Sequence, residues 1–444
     1  MKNYIGAHSF VKEVVICNMK RTAFARASKG KLVCTRLDNT AAKLVKNILD
    51  EHPALQSSDI GEFGLGQVFH ADELLNMGSA QIAHLSGLPY EMSKFEINRQ
   101  CGSSMEVIHR VTHAMMLGLY DTALAMGVER MDKYLSLQSS NSTRISSLNP
   151  QYFRYQSDIQ RCITPDYDDI FSHTIPESIQ NSSPLCTMVQ TAQNVCDMYA
   201  LSRDELDTFA LSSHKKYKKA QKLGIYRDEI MPLEVELPVF LEDGSVDFSQ
   251  HGSKTIFSVD ECYRADVSLD KLSTLPPIRG VQSYAKKPII VTAGNCCPTN
   301  DGIAASILMT REKADACDIK SLAKIIGFSV CGVKPQIMGV GPVPAIRKAL
   351  AYANLSIKDI DFIEFNEAFA AQVIATMREL DYPLTQVNLH GGSLAIGHPL
   401  GATGVRLVGR AARSLSQGHG RYAVAAQCIG AGMGIATVLE RIDN

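Results

Sequence analysis

The order of elements in residues 11–131 begins again near Cys317, and this internal repeat limits what the chain can fold into more than any single motif does. In the first pass Val11–Cys17 (VKEVVIC) reads as a buried strand, Thr40 as the cap of a helix ending at Asp50, and Ile60–Phe69 as a second strand. Glu73–Leu85 carries a helical pattern, Lys94–Asn98 a strand, the stretch after Gly102 a helix, and Asp121–Met126 a strand. The second pass places strands at Leu322–Val330 and Ile360–Phe365, with a helix over Pro344–Asn354 between them. Helices over Glu367–Leu380 and Thr403–Ser416 then precede closing strands at Tyr422–Cys428 and Gly434–Leu439. Strands that alternate with helices build a parallel or mixed sheet covered on both faces, so the expected class is α/β with two related halves.

The middle of the chain breaks the alternation. From about Tyr134 to Ser183 it is rich in Ser, Asn, Gln, Tyr and Asp with little periodicity, which predicts a long surface excursion. Arg203–Lys222 is a well-marked helix started by a Ser202 cap. Its Lys215, Lys216, Lys218, Lys219 and Lys222 form a basic face that either meets an anionic ligand or is simply solvated. Strand patterns return at Pro288–Ala293 and Gly302–Met309.

At 444 residues the chain has room for two or three domains, and 45 basic against 46 acidic side chains leave a net charge of −1. That balance argues against nucleic acid or an anionic membrane as a bulk partner. No run approaches the ~18 apolar residues of a spanning helix, so no transmembrane segment is expected. The first residues carry no signal-peptide h-region and the last four are no peroxisomal address. Twelve cysteines without framework spacing fit reduced thiols in a cytoplasm, and no Cys-x-x-Cys pair suggests a metal.

One of those cysteines stands at a seam. In Ile97-Asn98-Arg99-Gln100-Cys101-Gly102-Ser103-Ser104-Met105 a strand ends and a helix starts, where unpaired N–H groups and the helix dipole favour a thiolate. A buried structural cysteine is the plain alternative, so Cys101 needs partners. Three polar stretches of the second half offer them. Glu364-Phe365-Asn366-Glu367-Ala368-Phe369-Ala370 places Asn366 at a strand end, either to hold a water or to cap a helix. Gly391 to Gly404 carries His398 on a turn stiffened by Pro399. Gln427 to Gly434 sets Cys428 before a glycine turn.

With these neighbours the set is specific, and it resembles the thiolase family. NRQCGSSM, GVERM, VTAGN with NDG, IMGVGPVPA, NEAFAAQ, GGSLAIGHPLGATG and QCIGAGMGIA occur in family order, with one long unmatched stretch at roughly 132–186. The wording is nearest to the thiolase subunits of bacterial fatty-acid oxidation complexes, which share NR-x-CGSSM and IMG-x-GPVPA. The resemblance implies a five-layered αβαβα fold of two duplicated βαβαβαββ domains with an inserted loop domain. Residues 1–131 and 279–316 would form the N-terminal domain, 132–278 the loop domain and 317–444 the C-terminal domain.

It also implies roles. Cys101 would be the acyl-accepting nucleophile and Cys428 the general acid/base. His398 would activate Cys101 and, with a water held by Asn366, face the thioester oxyanion, while the N–H groups of Cys101 and Gly430 would form a second oxyanion site. Coenzyme A is the implied co-substrate, with no permanently bound cofactor, and Cys297, Met188, Lys215 and Lys219 fall on its expected side. A homodimer or tetramer is implied, with room for a hydratase/dehydrogenase subunit. The activity implied is degradative thiolysis of 3-ketoacyl-CoA to acetyl-CoA and a shortened acyl-CoA, the alternatives being a biosynthetic acetoacetyl-CoA thiolase and a thiolase-like lipid carrier. Thr187 stands where the biosynthetic enzymes commonly carry histidine, which favours degradation. Three departures bear on acyl and pantetheine contacts: Val189 and Gln193 replace a glycine and a glutamate, Cys296-Cys297-Pro298 replaces Ala-Ser-Gly, and His390 replaces an asparagine.

Overall fold

The strand that joins the molecule is only three residues long. The computed structural model describes residues 11–70, 72–132, 171–180 and 186–442. Its strands are β1 (Val14–Ile16), β2 (Lys20–Arg21), β3 (Ala25–Arg26), β4 (Glu62–Gly66), β5 (Ser93–Ile97) and β6 (Thr122–Glu129). A hairpin of β7 (Leu233–Glu236) and β8 (Lys254–Phe257) follows, then β9 (Asn300–Thr310), β10 (Ala323–Gly332), β11 (Phe362–Phe365), β12 (Tyr422–Ile429) and β13 (Met433–Glu440). Fully buried β1 pairs antiparallel with β9 on one side and β10 on the other, so two half-sheets become one of eleven strands.

The halves repeat each other. Outward from β1 the first runs β9, β6, β4, β5, with β6 antiparallel to β9 and β4 parallel to both β6 and β5. Outward from β10 the second runs β13, β12, β11, with β12 antiparallel to β13 and β11 parallel to β12. Val387 then bridges Ile363 in parallel, standing to β11 as β5 stands to β4. The duplication read from pattern is therefore present as topology.

The main helices are α1 (Leu37–Asp50), α2 (Gly78–Ser86), α3 (Ser103–Met116), α4 (Met188–Met198), α5 (Arg203–Lys222), α6 (Pro342–Tyr352), α7 (Ala370–Glu379) and α8 (Leu400–Ser416). α3 and α8 lie against each other and touch strands of both halves, which makes them the middle layer of an αβαβα stack. α1 and α2 pack together beside the first half, and α6 covers β10, β12 and β13. Glycines let the middle layer sit directly on the sheet: a Cβ at Gly127 would lie 2.1 Å from the Gly401 carbonyl oxygen, and one at Gly404 2.3 Å from the Met105 nitrogen. Gly127→Ala is accordingly expected to cost about 3 kcal/mol through a backbone clash that no rotamer relieves, measured as a lower denaturant midpoint at unchanged slope.

Local reading fails where the partner is remote. Thr40 is no cap but lies inside α1, its hydroxyl donating back to the Arg36 carbonyl at 2.8 Å. The first turn is served instead by Glu73, whose carboxylate accepts from the Leu37 N–H at 2.7 Å. The pattern over Glu73–Leu85 divides into a turn at Asp72–Leu74 and α2, separated by Met77 in the left-handed region. Pro288–Ala293 joins no sheet and keeps one bridge, Thr292 to Pro277, because Gln193 and Asn295 side chains take the hydrogen bonds of Ile290 and Thr292. The Ser202 cap stands, completed by Glu205 as a capping box.

Of the polar excursion, Tyr134, Tyr152, Phe153, Tyr155 and Tyr167 lie outside the described residues. Where the chain is described again it runs along the surface on three buried anchors: Phe171, Ile175 and Ile179 join the second core cluster, the residues from Ser172 to Thr174 are exposed, and the Ser172 N–H donates to Glu379 at 3.0 Å. The remainder of the middle segment is tied down by a buried ion network. Arg21 donates to Glu229 at 2.8 Å and Asp260 at 2.7 Å, and Arg410 of α8 donates to Glu229 at 3.2 Å.

Candidate active site

Cys101 sits on a strained strand-to-helix turn. Gln100 has φ +47, held by Asn98, whose side chain accepts from its N–H at 3.0 Å, and by Ser103, whose hydroxyl donates to its carbonyl at 2.6 Å. α3 begins at Ser103 with Gly102 as its cap residue, so Cys101 precedes the first turn instead of opening it. The expected thiolate is absent in the resting site. Although half-buried, the thiol is pushed up to about 11 by its desolvation, against which the Gly430 N–H at its sulfur acts only partly. A base must therefore take the Cys101 proton.

His398 is held in one orientation and one tautomer. Gly397, at φ +114, packs on the Asn300 side chain, which accepts from the His398 N–H at 2.8 Å. The Thr403 hydroxyl donates its one proton to the Pro399 carbonyl at 2.8 Å, so at 2.7 Å from His398 Nδ1 it can only accept. Nδ1 therefore carries the ring proton, and Nε2 keeps its lone pair, 3.1 Å from Asn366 Nδ2. Burial, with a smaller effect from Arg406, lowers the imidazolium to about 3, so the ring is neutral at physiological pH.

Hydrogen bonds tie Cys428 to Asn366 through Gln372, and a separate one holds the Cys101 carbonyl. Fully buried Cys428 donates its S–H to Gln372 Oε1 at 3.3 Å, and Gln372 Nε2 donates to the Asn366 carbonyl at 3.1 Å. Gln427 donates to the Cys101 carbonyl. Burial raises the Cys428 thiol well above its ordinary value, and ionisation of the neighbouring Cys101 would raise it further. Cys297 joins these sulfurs: burial raises it well above its ordinary value, and Cys296, Cys101 and Cys428 are near enough that ionisation of any of them would raise it further. Its loop is anchored to the Asn366 loop by Cys297 N–H donating to Ala368 O at 3.0 Å and by a Cys296–Phe369 bridge.

Cys101, Gly430, Cys428, Asn366, His398 and Cys297 thus converge, whereas the other expected coenzyme A contacts do not. Lys215 and Lys219 are exposed on α5, and Met188 is a partly exposed residue opening α4. The departures in α4 have structural occupations. Val189 packs on the second core cluster, and Gln193 holds Asp197 at 2.9 Å and the Ile290 N–H at 3.1 Å. His390 packs its ring against His419.

Thr403, Gln372 and Glu129 were missed as site residues, although each lies inside a motif that was read. Glu129 accepts from the N–H groups of Val68, Phe69 and Gly401, and burial raises it to about 7. It clamps the start of α8 to the loop after β4, and its charge opposes ionisation of Cys101. Among the described residues no group of three or more His, Cys, Asp or Glu could hold a metal. The site brings together two thiols, a neutral imidazole and a backbone N–H at one of the sulfurs, groups of the kinds that covalent acyl transfer uses.

Comparison with known proteins agrees with that chemistry. The family model for the thiolase N-terminal domain matches residues 14–312 and that for the thiolase C-terminal domain residues 319–441. The chain is 36% identical over 433 residues to a 3-ketoacyl-CoA thiolase of Bacillus subtilis, covering 97% of this chain and 100% of the relative. It is 34% identical over 436 residues to a 3-oxoadipyl-CoA/3-oxo-5,6-dehydrosuberyl-CoA thiolase of Escherichia coli, with coverage of 97% and 100%. At 34% over 429 residues and the same coverage it matches an acetyl-CoA acetyltransferase of Chromobacterium violaceum. The crystal structure of human mitochondrial 3-ketoacyl-CoA thiolase superposes with a TM-score of 0.78 at 28% identity, over 98% of this chain and 100% of that one. The dimeric peroxisomal thiolase of Saccharomyces cerevisiae gives 0.75 at 29% identity, over 97% and 98%. With the two family models together matching nearly the whole chain and a thiolase 36% identical over 97% of it, the chain belongs to the thiolase family of acyltransferases.

Proposed function

We propose that the protein is a degradative 3-ketoacyl-CoA thiolase acting through an acyl-Cys101 intermediate. The convergence of Cys101, Cys428 and the Asn366–His398 pair at one buried point carries this reading. His398 Nε2 takes the Cys101 proton as sulfur attacks the C3 ketone of the substrate. The C2–C3 bond breaks, and the electron pair leaves as the enolate of acetyl-CoA, its oxygen faced by His398 and Asn366. Cys428 gives its proton to the enolate carbon. The Cys428 thiolate next takes the proton of coenzyme A, whose sulfur attacks the acyl-Cys101 carbonyl; the carbon–sulfur bond to Cys101 breaks, the shortened acyl-CoA leaves, and the Cys101 sulfur recovers its proton from His398. In the resting site the Gly430 N–H is occupied by the Cys101 sulfur, and with the Cys101 N–H it faces the oxyanion of the tetrahedral states. Donors so placed are worth roughly 3 to 4 kcal/mol each.

Coenzyme A is thus a substrate and no cofactor is held permanently. The same reading divides the chain into an N-terminal domain of residues 1–131 and 279–316, a loop domain of 132–278 and a C-terminal domain of 317–444, the last boundary falling between the two family-model matches. A second copy adds to the molecule along β5, which ends the eleven-stranded sheet with an open edge four residues before Cys101. A related structure is described as dimeric. The cytoplasm is the proposed setting, supported by thiols that are all free among the described residues. Among those residues no helix is long and apolar enough to cross a membrane.

Thr187 supports degradation over biosynthesis, since it serves as the cap of α4, accepting from the Gln190 N–H at 3.3 Å. The reading is tested by thiolysis rates for linear substrates from acetoacetyl-CoA to 3-ketohexadecanoyl-CoA and for 3-oxoadipyl-CoA. A kcat/KM that rises with linear chain length is expected. A maximum at acetoacetyl-CoA, with efficient condensation of acetyl-CoA, would establish the biosynthetic reading instead, and a maximum at 3-oxoadipyl-CoA a dicarboxylate specificity.

A further inference from the structure

Asn366 can serve the site in only one of its two amide orientations. With Nδ2 toward His398 it offers N–H to the ring and to the charge developing beside it; turned over, it would set a carbonyl lone pair against that charge. The two orientations have the same shape, so packing cannot choose between them. The backbone is fixed by the Asn366 N–H donating to Ala426 O at 3.0 Å and by Gln372 donating to the Asn366 carbonyl at 3.1 Å, which leaves the amide as the free element.

What chooses is a run of hydrogen bonds with a defined direction. Arg406 can only donate, and its NH2 group points at the Ser393 hydroxyl at 3.5 Å while NH1 faces Glu364 at 3.4 Å. The Ser393 hydroxyl, accepting from Arg406, gives its one proton to Asn366 Oδ1 at 2.6 Å. Asn366 Nδ2 must then face His398 Nε2, and His398 Nδ1–H faces Thr403, whose proton ends on the Pro399 carbonyl. From the Pro399 carbonyl each bond has one direction as far as Asn366 Nδ2, while at the other end Arg406 takes up one Ser393 lone pair and leaves the hydroxyl proton for Asn366 Oδ1. Ser393 and Arg406 are fully buried, and water cannot replace them.

We propose that Ser393, backed by Arg406, is a positioning residue that locks the Asn366 amide with its N–H toward His398 and the reacting thioester oxygen. The inference rests on the roles given above to Asn366 and His398. Ser393→Ala removes only the hydroxyl, so once Nε2 carries the Cys101 proton and no longer accepts from Asn366, nothing else holds the amide with its N–H toward the site.

The test measures kcat and KM for acetoacetyl-CoA thiolysis in Ser393→Ala, Asn366→Ala and the double variant, with Ser393→Gly in place of Ala if that variant does not fold. Ser393→Ala is expected to lower kcat at least about tenfold with KM within about twofold, because the donor it orients acts on the transition state. It should add nothing once Asn366 is alanine, whereas a merely structural role would lower kcat equally in both backgrounds. Wild-type kcat in Ser393→Ala, or an independent further loss in the double variant, overturns the inference alone. Wild-type kcat in Asn366→Ala would overturn the role of Asn366 and the inference with it.

Discussion

Cys101→Ser is expected to lower thiolysis on the order of 10⁴-fold or more, the scale on which losing a covalent nucleophile is felt. A serine hydroxyl is far less acidic than a thiol, and the site already works against ionisation: burial holds even the thiol near 11 and Glu129 adds a negative charge. A base of pKa about 3 in the resting state has too little driving force to take a hydroxyl proton. The fold should not suffer, because Cys101 lies half-buried on a turn whose shape is set by Asn98, Gln100 and Ser103. Mass spectrometry of protein quenched with substrate gives the second readout, an acyl adduct on Cys101 in the wild type and none in the variant. An adduct on Cys297, which lies within electrostatic reach, would move the nucleophile there.

His398→Ala is the other large effect, expected to reduce kcat by about 10³- to 10⁴-fold, since the proposed mechanism uses one ring both as base for Cys101 and as a donor facing the enolate oxygen. Thr403 separates tautomer from mere presence. Thr403→Val keeps the ring but removes the acceptor for Nδ1–H, so a loss smaller than that of His398→Ala but in kcat and not KM is its signature. Steady-state kinetics on both variants checks the pair, and a His398→Ala enzyme within tenfold of wild type would remove His398 from the chemistry.

What the sequence disclosed and what it hid divide along chain distance. The Ser202 cap was legible because its partner Glu205 lies three residues away, whereas the start of α1 depends on Glu73, far along the chain. Cys101, His398 and Cys428 could be singled out because each stands beside glycines, and Asn366 because its strand end runs into a stretch of small residues; that they meet in space is a matter of the fold. Their protonation states were not, for the helix terminus near Cys101 is local but the burial that outweighs it is assembled from both halves. Nor was the direction of the Asn366 amide, which is decided by Ser393 and Arg406 reaching it from elsewhere in the chain. Pro288–Ala293 had the composition of a strand, yet its hydrogen bonds go to side chains that no period reveals.

The short β1 also governs the order in which the molecule can be assembled. It is the first strand of the described chain, yet both of its neighbours, β9 and β10, are made only after residue 299. During synthesis from the N-terminus a fully apolar strand must wait without a sheet, and β6 keeps an open edge until β9 arrives to fill the space between them. Contacts of such long sequence separation make closure a slow, late event. The nucleophile-bearing turn is translated in the first quarter of the chain, but it acquires Gly430 and Cys428 only when the last strands dock, so catalytic competence is the final product of folding and no partly folded chain carries it.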